Sequence, residues 1–156
     1  MDYEKYLEKV KIFSKNMTLF QKIIGIFVML LIVSVVVLLL NPQKKLAERR
    51  NAQRRSDVAN VLNSVYQYAV DNNGQLPGNI TAKPNMICRD NSKSCDGLVD
   101  ISEIIKDKRY LLSAVPIDPK EKDANISGYQ IAKLTNGRIS VIAPLAENKA
   151  VVSLSK

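Results

Sequence analysis

Cys88 and Cys95 are the residues of this chain best suited to covalent chemistry, and six residues separate them in a stretch rich in Asn, Ser, Gly and Lys that reads as an exposed loop. Two exposed cysteines this close are read as a local disulfide, which implies an oxidising space outside the cytoplasm; two unpaired thiols in a reducing compartment remain the alternative, because the spacing is not CxxC. Asp118, Asp123 and Asn125 offer oxygens of the kind that hold calcium. Their spacing is not that of a calcium loop, and turn formation accounts for the same residues. The 156 residues include no His and only two Cys, which excludes Ser-His-Asp and Cys-His nucleophiles and a closed Cys/His zinc site. No enzyme and no cofactor is expected.

The basic residues do not mark a nucleic-acid site. The net charge of +8 is spread along the chain, with no strongly basic tail and no stripe of aromatic and basic side chains. Lys44, Lys45, Arg49, Arg50, Arg54 and Arg55 encircle a helix at ~100° per residue, which predicts a solvated collar at the level of lipid headgroups.

These groups must be positioned by an unusual N-terminal half. Residues 23–40, IIGIFVMLLIVSVVVLLL, run without a charge. At ~1.5 Å per residue they span roughly 27 Å, close to a bilayer core. The run is longer than the apolar part of a secretory signal and ends in bulky leucines, so it reads as a retained single-pass membrane helix. Asn41 and Pro42 restart the helix, Asn as a cap and Pro in the first turn. Within residues 56–71, Val58, Val61, Leu62, Val65, Tyr66 and Ala69 share one side, with Asn60, Asn63, Ser64 and Gln67 opposite. Asn72, Asn73 and Gly74 end the helix, so residues 42–71 are expected to form one helix whose far half docks on something.

The docking partner is expected in residues 80–156. Asp100 and Glu103 read as a capping box for a short helix. Residues 129–134 and 138–143 flank Asn136-Gly137, a pair that favours a two-residue hairpin turn, and residues 150–154 can add a third strand. The fold class expected is α+β. A membrane-spanning helix continues into an amphipathic helix packed on a small antiparallel sheet, with Val58, Val61, Leu62, Val65 and Ala69 as the packing face. The chain divides into an N-terminal tail (1–22), a membrane helix (23–40), an extracytoplasmic helix and cap (41–79) and a globular part (80–156).

Over most of residues 15–145 the sequence resembles the type IV pilins and the pseudopilins of type II secretion. The resemblance rests on Lys15-Asn16-Met17-Thr18-Leu19-Phe20-Gln21 before the apolar helix, on Asn41-Pro42, and on Ala52-Gln53-Arg54-Arg55-Ser56-Asp57-Val58. Tyr66-Gln67-Tyr68, Asp71-Asn72-Asn73-Gly74-Gln75-Leu76-Pro77, Pro116-Ile117-Asp118-Pro119 and Gly128-Tyr129-Gln130-Ile131 complete it. In that family a Gly-Phe-Thr-Leu-Ile-Glu motif is cut by a prepilin peptidase after the glycine, and the matching positions here are Asn16, Met17, Thr18, Leu19, Phe20 and Gln21. Thr18 and Leu19 match; Asn16 replaces the glycine, Met17 the aromatic and Gln21 the glutamate that pairs with a neighbour's new amino terminus.

The resemblance implies a minor or atypical filament subunit held in the inner membrane, with its C-terminal domain outside the cytoplasm. Its partners would be the membrane, other pilin or pseudopilin subunits and an assembly platform, with incorporation into a cell-surface filament as a further state. A single-pass anchored protein that binds a ligand or partner, unrelated to filaments, is the competing expectation. Flanking charge alone slightly favours the opposite orientation: Lys5, Lys9, Lys11, Lys15 and Lys22 precede the span, and six basic residues follow it.

Overall fold

Helix formation starts where a side chain can satisfy the first free amides, and Thr18 supplies that cap. In the computed structural model, which describes residues 3–4, 7–8, 18–107, 109–110 and 112–156, helix α1 spans Leu19–Leu40. Its described side chains through residue 37 are all exposed. A helix apolar on every face and exposed at its described side chains is suited to lipid, and α1 is long and apolar enough to cross a membrane. Asn41 closes it in the left-handed conformation, φ 39°, and Pro42 opens α2, Pro42–Asp71, a single helix of 30 residues. The chain divides here into two compact units, Met1–Pro42 and Gln43–Lys156.

Within the second unit α2 packs on an antiparallel sheet. Strands β1 (Asn85–Cys88), β2 (Ile126–Lys133), β3 (Ile139–Ile142) and β4 (Ser153–Ser155) lie in the order β1-β2-β3-β4. A short helix, α3 (Ser102–Lys106), precedes β2. Val58, Val61, Leu62 and Val65 of α2 form one buried cluster with Tyr129 and Ile131 of β2, Ile139 and Val141 of β3, and Ile87, Val99, Ile101 and Ile104. The α+β architecture with a helix laid on a small sheet is as expected. The sheet has one strand more than the predicted meander, because β1 pairs with β2 and its Ile87 bridges Val99.

The sheet departs from expectation at three further points. Leu134 and Arg138 close the hairpin across a three-residue loop: the Gly137 N–H donates to the Leu134 carbonyl and the Leu134 N–H to that of Arg138. Only Gly137 takes a positive φ, +82°, and Asn136 instead accepts the Arg138 N–H on Oδ1. The loop is a turn followed by a left-handed glycine, not the predicted two-residue turn, which needs positive φ at both positions. The last strand lies at Ser153–Ser155, shifted from residues 150–154. Asp100 and Glu103 do not form a reciprocal cap: Asp100 accepts the Ser102 N–H, while Glu103 accepts from the Tyr68 hydroxyl at 2.6 Å.

Candidate functional site

The first unit carries the positions singled out by the motif. Asn16 and Met17 lie outside the described residues. Thr18 and Gln21 form a complete capping box: the Thr18 hydroxyl accepts the Gln21 N–H at 3.4 Å, and Gln21 Oε1 accepts the Thr18 N–H at 2.9 Å. Gln21 therefore closes the entry of α1 by hydrogen bonding. Leu19 and Phe20, the first residues after the cap, are exposed on the helix surface.

In the second unit the packing face runs further toward the start of α2 than the apolar periodicity predicts. Ala47, Asn51, Arg54, Val58, Val61, Leu62 and Val65 are all buried, at steps of three and four residues. The collar of cations around α2 is therefore not uniformly solvated. Arg54 is fully buried, and its guanidinium forks onto Asp118 through Nε–Oδ2 at 2.6 Å and Nη2–Oδ1 at 2.9 Å. Its remaining Nη1 donates to Asn51 Oδ1 at 2.9 Å and to Glu147 Oε2 at 3.1 Å. Arg50 grips the same Glu147 at 2.6 and 2.7 Å, and Lys120 completes the set at 2.9 Å. The Asn51 amide also exchanges two hydrogen bonds with the backbone of Glu147.

Three cations around one carboxylate hold Glu147 far below its usual range, with the Arg50 hydrogen bond as the largest cause. The Arg54 guanidinium is held more firmly charged, chiefly by Asp118. One turn on, Asp57 accepts from the Tyr129 hydroxyl at 2.7 Å. Burial, reinforced by that carboxylate, pushes the phenol well above its normal value. Asp118 is fixed from the sheet side as well, since its N–H donates to the Ser127 carbonyl at 2.8 Å. Gly128 passes so close that an added Cβ would lie 2.7 Å from the Asp118 Cβ, and its φ of +85° suits glycine alone.

The calcium candidates are thus divided among other tasks. Asp118 gives both oxygens to Arg54, Asp123 accepts the Asn125 N–H, and Asn125 Oδ1 accepts from Ser92 and Lys93 of the cysteine loop. Cys88 and Cys95 are joined as a disulfide with a Cα–Cα distance of 5.5 Å. Cys88 is not on an exposed loop as expected but is buried at the end of β1. The loop it closes is docked on the sheet side of the unit, where Arg89 donates to the Ile126 carbonyl and Asp90 accepts the Val115 N–H.

On the far half of α2, Val58, Val61, Leu62 and Val65 are buried as predicted and Ala69 is half-buried. Tyr66, expected on the same face, is instead exposed, with Lys156 Nζ 4.3 Å above its ring. Ser64, expected outside, is buried. The charged cluster presents its ionised groups to one another, so its chemistry is that of a fastening between α2 and the two loops around Asp118 and Glu147. Comparison with protein-family models, curated proteins and solved structures finds no match for the chain.

Proposed function

We propose that this chain is a pilin-like structural subunit, minor or atypical, of a type IV pilus or type II secretion-like filament. Helix α1 would anchor it in the inner membrane, with residues 43–156 outside the cytoplasm. The observation that carries this reading is a helix apolar and exposed on every side, followed through Asn41-Pro42 by a helix docked on an antiparallel sheet. The disulfide supports the extracytoplasmic placement, because such bonds persist in oxidising compartments. The wider sequence resemblance, over most of residues 15–145, supports the assembly role, while within residues 16–21 only Thr18 and Leu19 match.

In this reading α1 serves first as an anchor and later as packing material between subunits, where its uniform apolar surface is buried against copies of itself or of other subunits. A filament partner in lipid gains from van der Waals packing and not from release of water. Gln21, being neutral, adds no carboxylate to neutralise a neighbour's amine, so such a subunit is poorly suited to be the bulk component.

Intact-mass measurement of protein recovered from native membranes and from sheared surface filaments tests the proposal. Recovery in filaments or in complexes with pilin or pseudopilin subunits supports it. Recovery only as a membrane protein with no such partner in crosslinked material overturns it in favour of a stand-alone anchored binding protein.

A further inference from the structure

The end of the second unit that follows α1 in the chain differs in charge from the rest of it. Residues 43–55 hold six cations against one acid, Glu48, a net charge of +5, whereas the much longer stretch 56–156 carries only +1. Lys45, Arg49 and Arg55 are exposed. The buried cluster does not offset them, because Arg50, Arg54 and Lys120 meet two carboxylates, Asp118 and Glu147, and leave an excess of positive charge. Residues 118–123 bring a net −1 and residues 143–151 are neutral, so +4 remains where these segments meet.

The connection between β3 and β4 lies on this same end. Glu147 binds Arg50, and its backbone exchanges two hydrogen bonds with the Asn51 amide. Lys156, after β4, lies instead 3.4 Å from Asn63, about three turns further along α2. The connection exposes Leu145 and Val151, the latter 87% exposed, on either side of the exposed Lys149. Exposed Leu46 lies one turn before Arg50 and so on its side of α2.

The backbone adds a second sign. The Ala150 N–H donates to the Glu147 carbonyl, closing a tight turn whose two central residues, Asn148 and Lys149, are both left-handed, with φ of 56° and 57°. Asparagine takes that conformation readily, and lysine takes it against its preference. A lysine held there beside an almost wholly exposed valine has no packing reason. Single exposed apolar residues are ordinary, but apolar side chains set among cations suit a lipid interface, where the former reach the acyl boundary and the latter meet phosphate. The distance is short as well: Gln43, the first residue of the unit, follows Leu40, the last of α1, by no more than about 11 Å of chain.

We infer that this end of the second unit docks on an anionic bilayer surface. Lys45, Arg49 and Lys149 meet the phosphates of acidic phospholipids, while Leu46, Leu145 and Val151 enter the headgroup layer. The inference rests on α1 lying in the bilayer, and it depends neither on filament membership nor on which side of the membrane the unit occupies.

The test uses the full chain in nanodiscs, with valine and leucine methyl groups labelled for NMR and a gadolinium chelate on a small fraction of the lipid headgroups. Val70, exposed near the far end of α2, is the reference. The tether contributes in every lipid, so the reading is the change with lipid charge. On passing from phosphatidylcholine discs to discs of phosphatidylcholine and phosphatidylglycerol in equal parts, broadening at Val151 and Leu145 relative to Val70 should rise severalfold. About 1 M salt, which screens charges beyond ~3 Å, should reverse the rise. Lys45→Gln, Arg49→Gln and Lys149→Gln, all at exposed positions, should each lower the ratio of docked to undocked chain about fivefold, the scale of one basic residue at an anionic surface. Broadening independent of lipid charge, with the chain still in the discs, overturns the inference and leaves the anchor standing. Unchanged docking in all three variants overturns it too, as does broadening that follows the number of chains per disc, which would show contact between copies. A chain that does not stay with the discs overturns the anchor and the inference together.

Discussion

Arg54 and Asp118, 64 positions apart in sequence, meet through two parallel hydrogen bonds of 2.6 and 2.9 Å with both side chains shut off from solvent. Taking two charges out of water is costly, and their mutual attraction repays it only when the geometry is good and the remaining donors are used. Both conditions hold, since Asn51 and Glu147 occupy the third nitrogen of Arg54. The pair fixes where α2 lies against the loop before β2.

Breaking this pair from one side should be severe. Asp118→Asn leaves a buried guanidinium without its counter-charge and is expected to cost about 3–5 kcal/mol, whereas replacing both partners by apolar residues of similar size, as in Arg54→Met with Asp118→Leu, should cost much less. Urea denaturation followed by near-ultraviolet circular dichroism of the tyrosines measures both. Additive losses in the double variant would contradict the account.

The acid side of the stability profile should report Glu147. Its pKa is depressed below the ordinary 4.5, so between the two values the unfolded chain binds a proton that the folded chain refuses. The stabilisation is therefore complete above about pH 4.5 and is lost as pH falls through the folded value. Glu147→Gln should lower the melting temperature near neutrality and flatten its fall below that pH. Parallel curves for the two proteins would show that Glu147 does not control the acid transition.

Core packing gives a contrast between neighbours on α2. Leu62 is 4% exposed within the core cluster and Asn63 lies outside it. Leu62→Ala should cost on the order of 2–5 kcal/mol, while Asn63→Ala should change stability little. Equal losses at the two positions in thermal melts would contradict the assigned face.

Topology follows from the disulfide and the proposed anchor. Fusions after Lys156 should be active with a reporter that works only outside the cytoplasm and silent with one that works only inside. The reverse pattern would reject the extracytoplasmic placement.

The proposed assembly role makes a gain-of-function prediction. Asn16→Gly together with Gln21→Glu restores the family's residues at both positions and should raise processing and incorporation into sheared filaments over wild type, read by intact mass of each fraction. Gln21→Glu keeps the side-chain oxygen that accepts the Thr18 N–H, so helix entry is preserved. Wild type already abundant in filaments and shortened by its first 16 residues would show that neither substitution matters.

Apolar periodicity made the long helices, the inner face of α2 and the β2–β3 hairpin readable in advance, because burial of Val58, Val61, Leu62 and Val65 follows from hydrophobicity and a 3.6-residue period. The same period continues backward through Arg54, Asn51 and Ala47. It went unread because Arg and Asn count as solvent-facing until a distant partner such as Asp118 or Glu147 is known. Strand β1 was hidden for a related reason. Four residues between Pro84 and a polar loop give no alternation to detect, and their place is set by pairing with Ile126–Lys133, about forty positions away or more. The Asn136-Gly137 signal located the turn but not its type, since one positive φ satisfies the hairpin where two were anticipated.

The fastenings along α2 have a mechanical meaning. Arg50 with Glu147, Arg54 with Asp118 and Asp57 with Tyr129 fall about one turn apart, roughly 4.5–6 Å, so they resemble the teeth of a rack. A pull directed along the helix axis loads all three in shear at the same moment, together with the valine cluster beyond them. A pull across the axis would open them singly, as a zipper opens. The second unit is thus built to resist tension along α2 better than peeling from it.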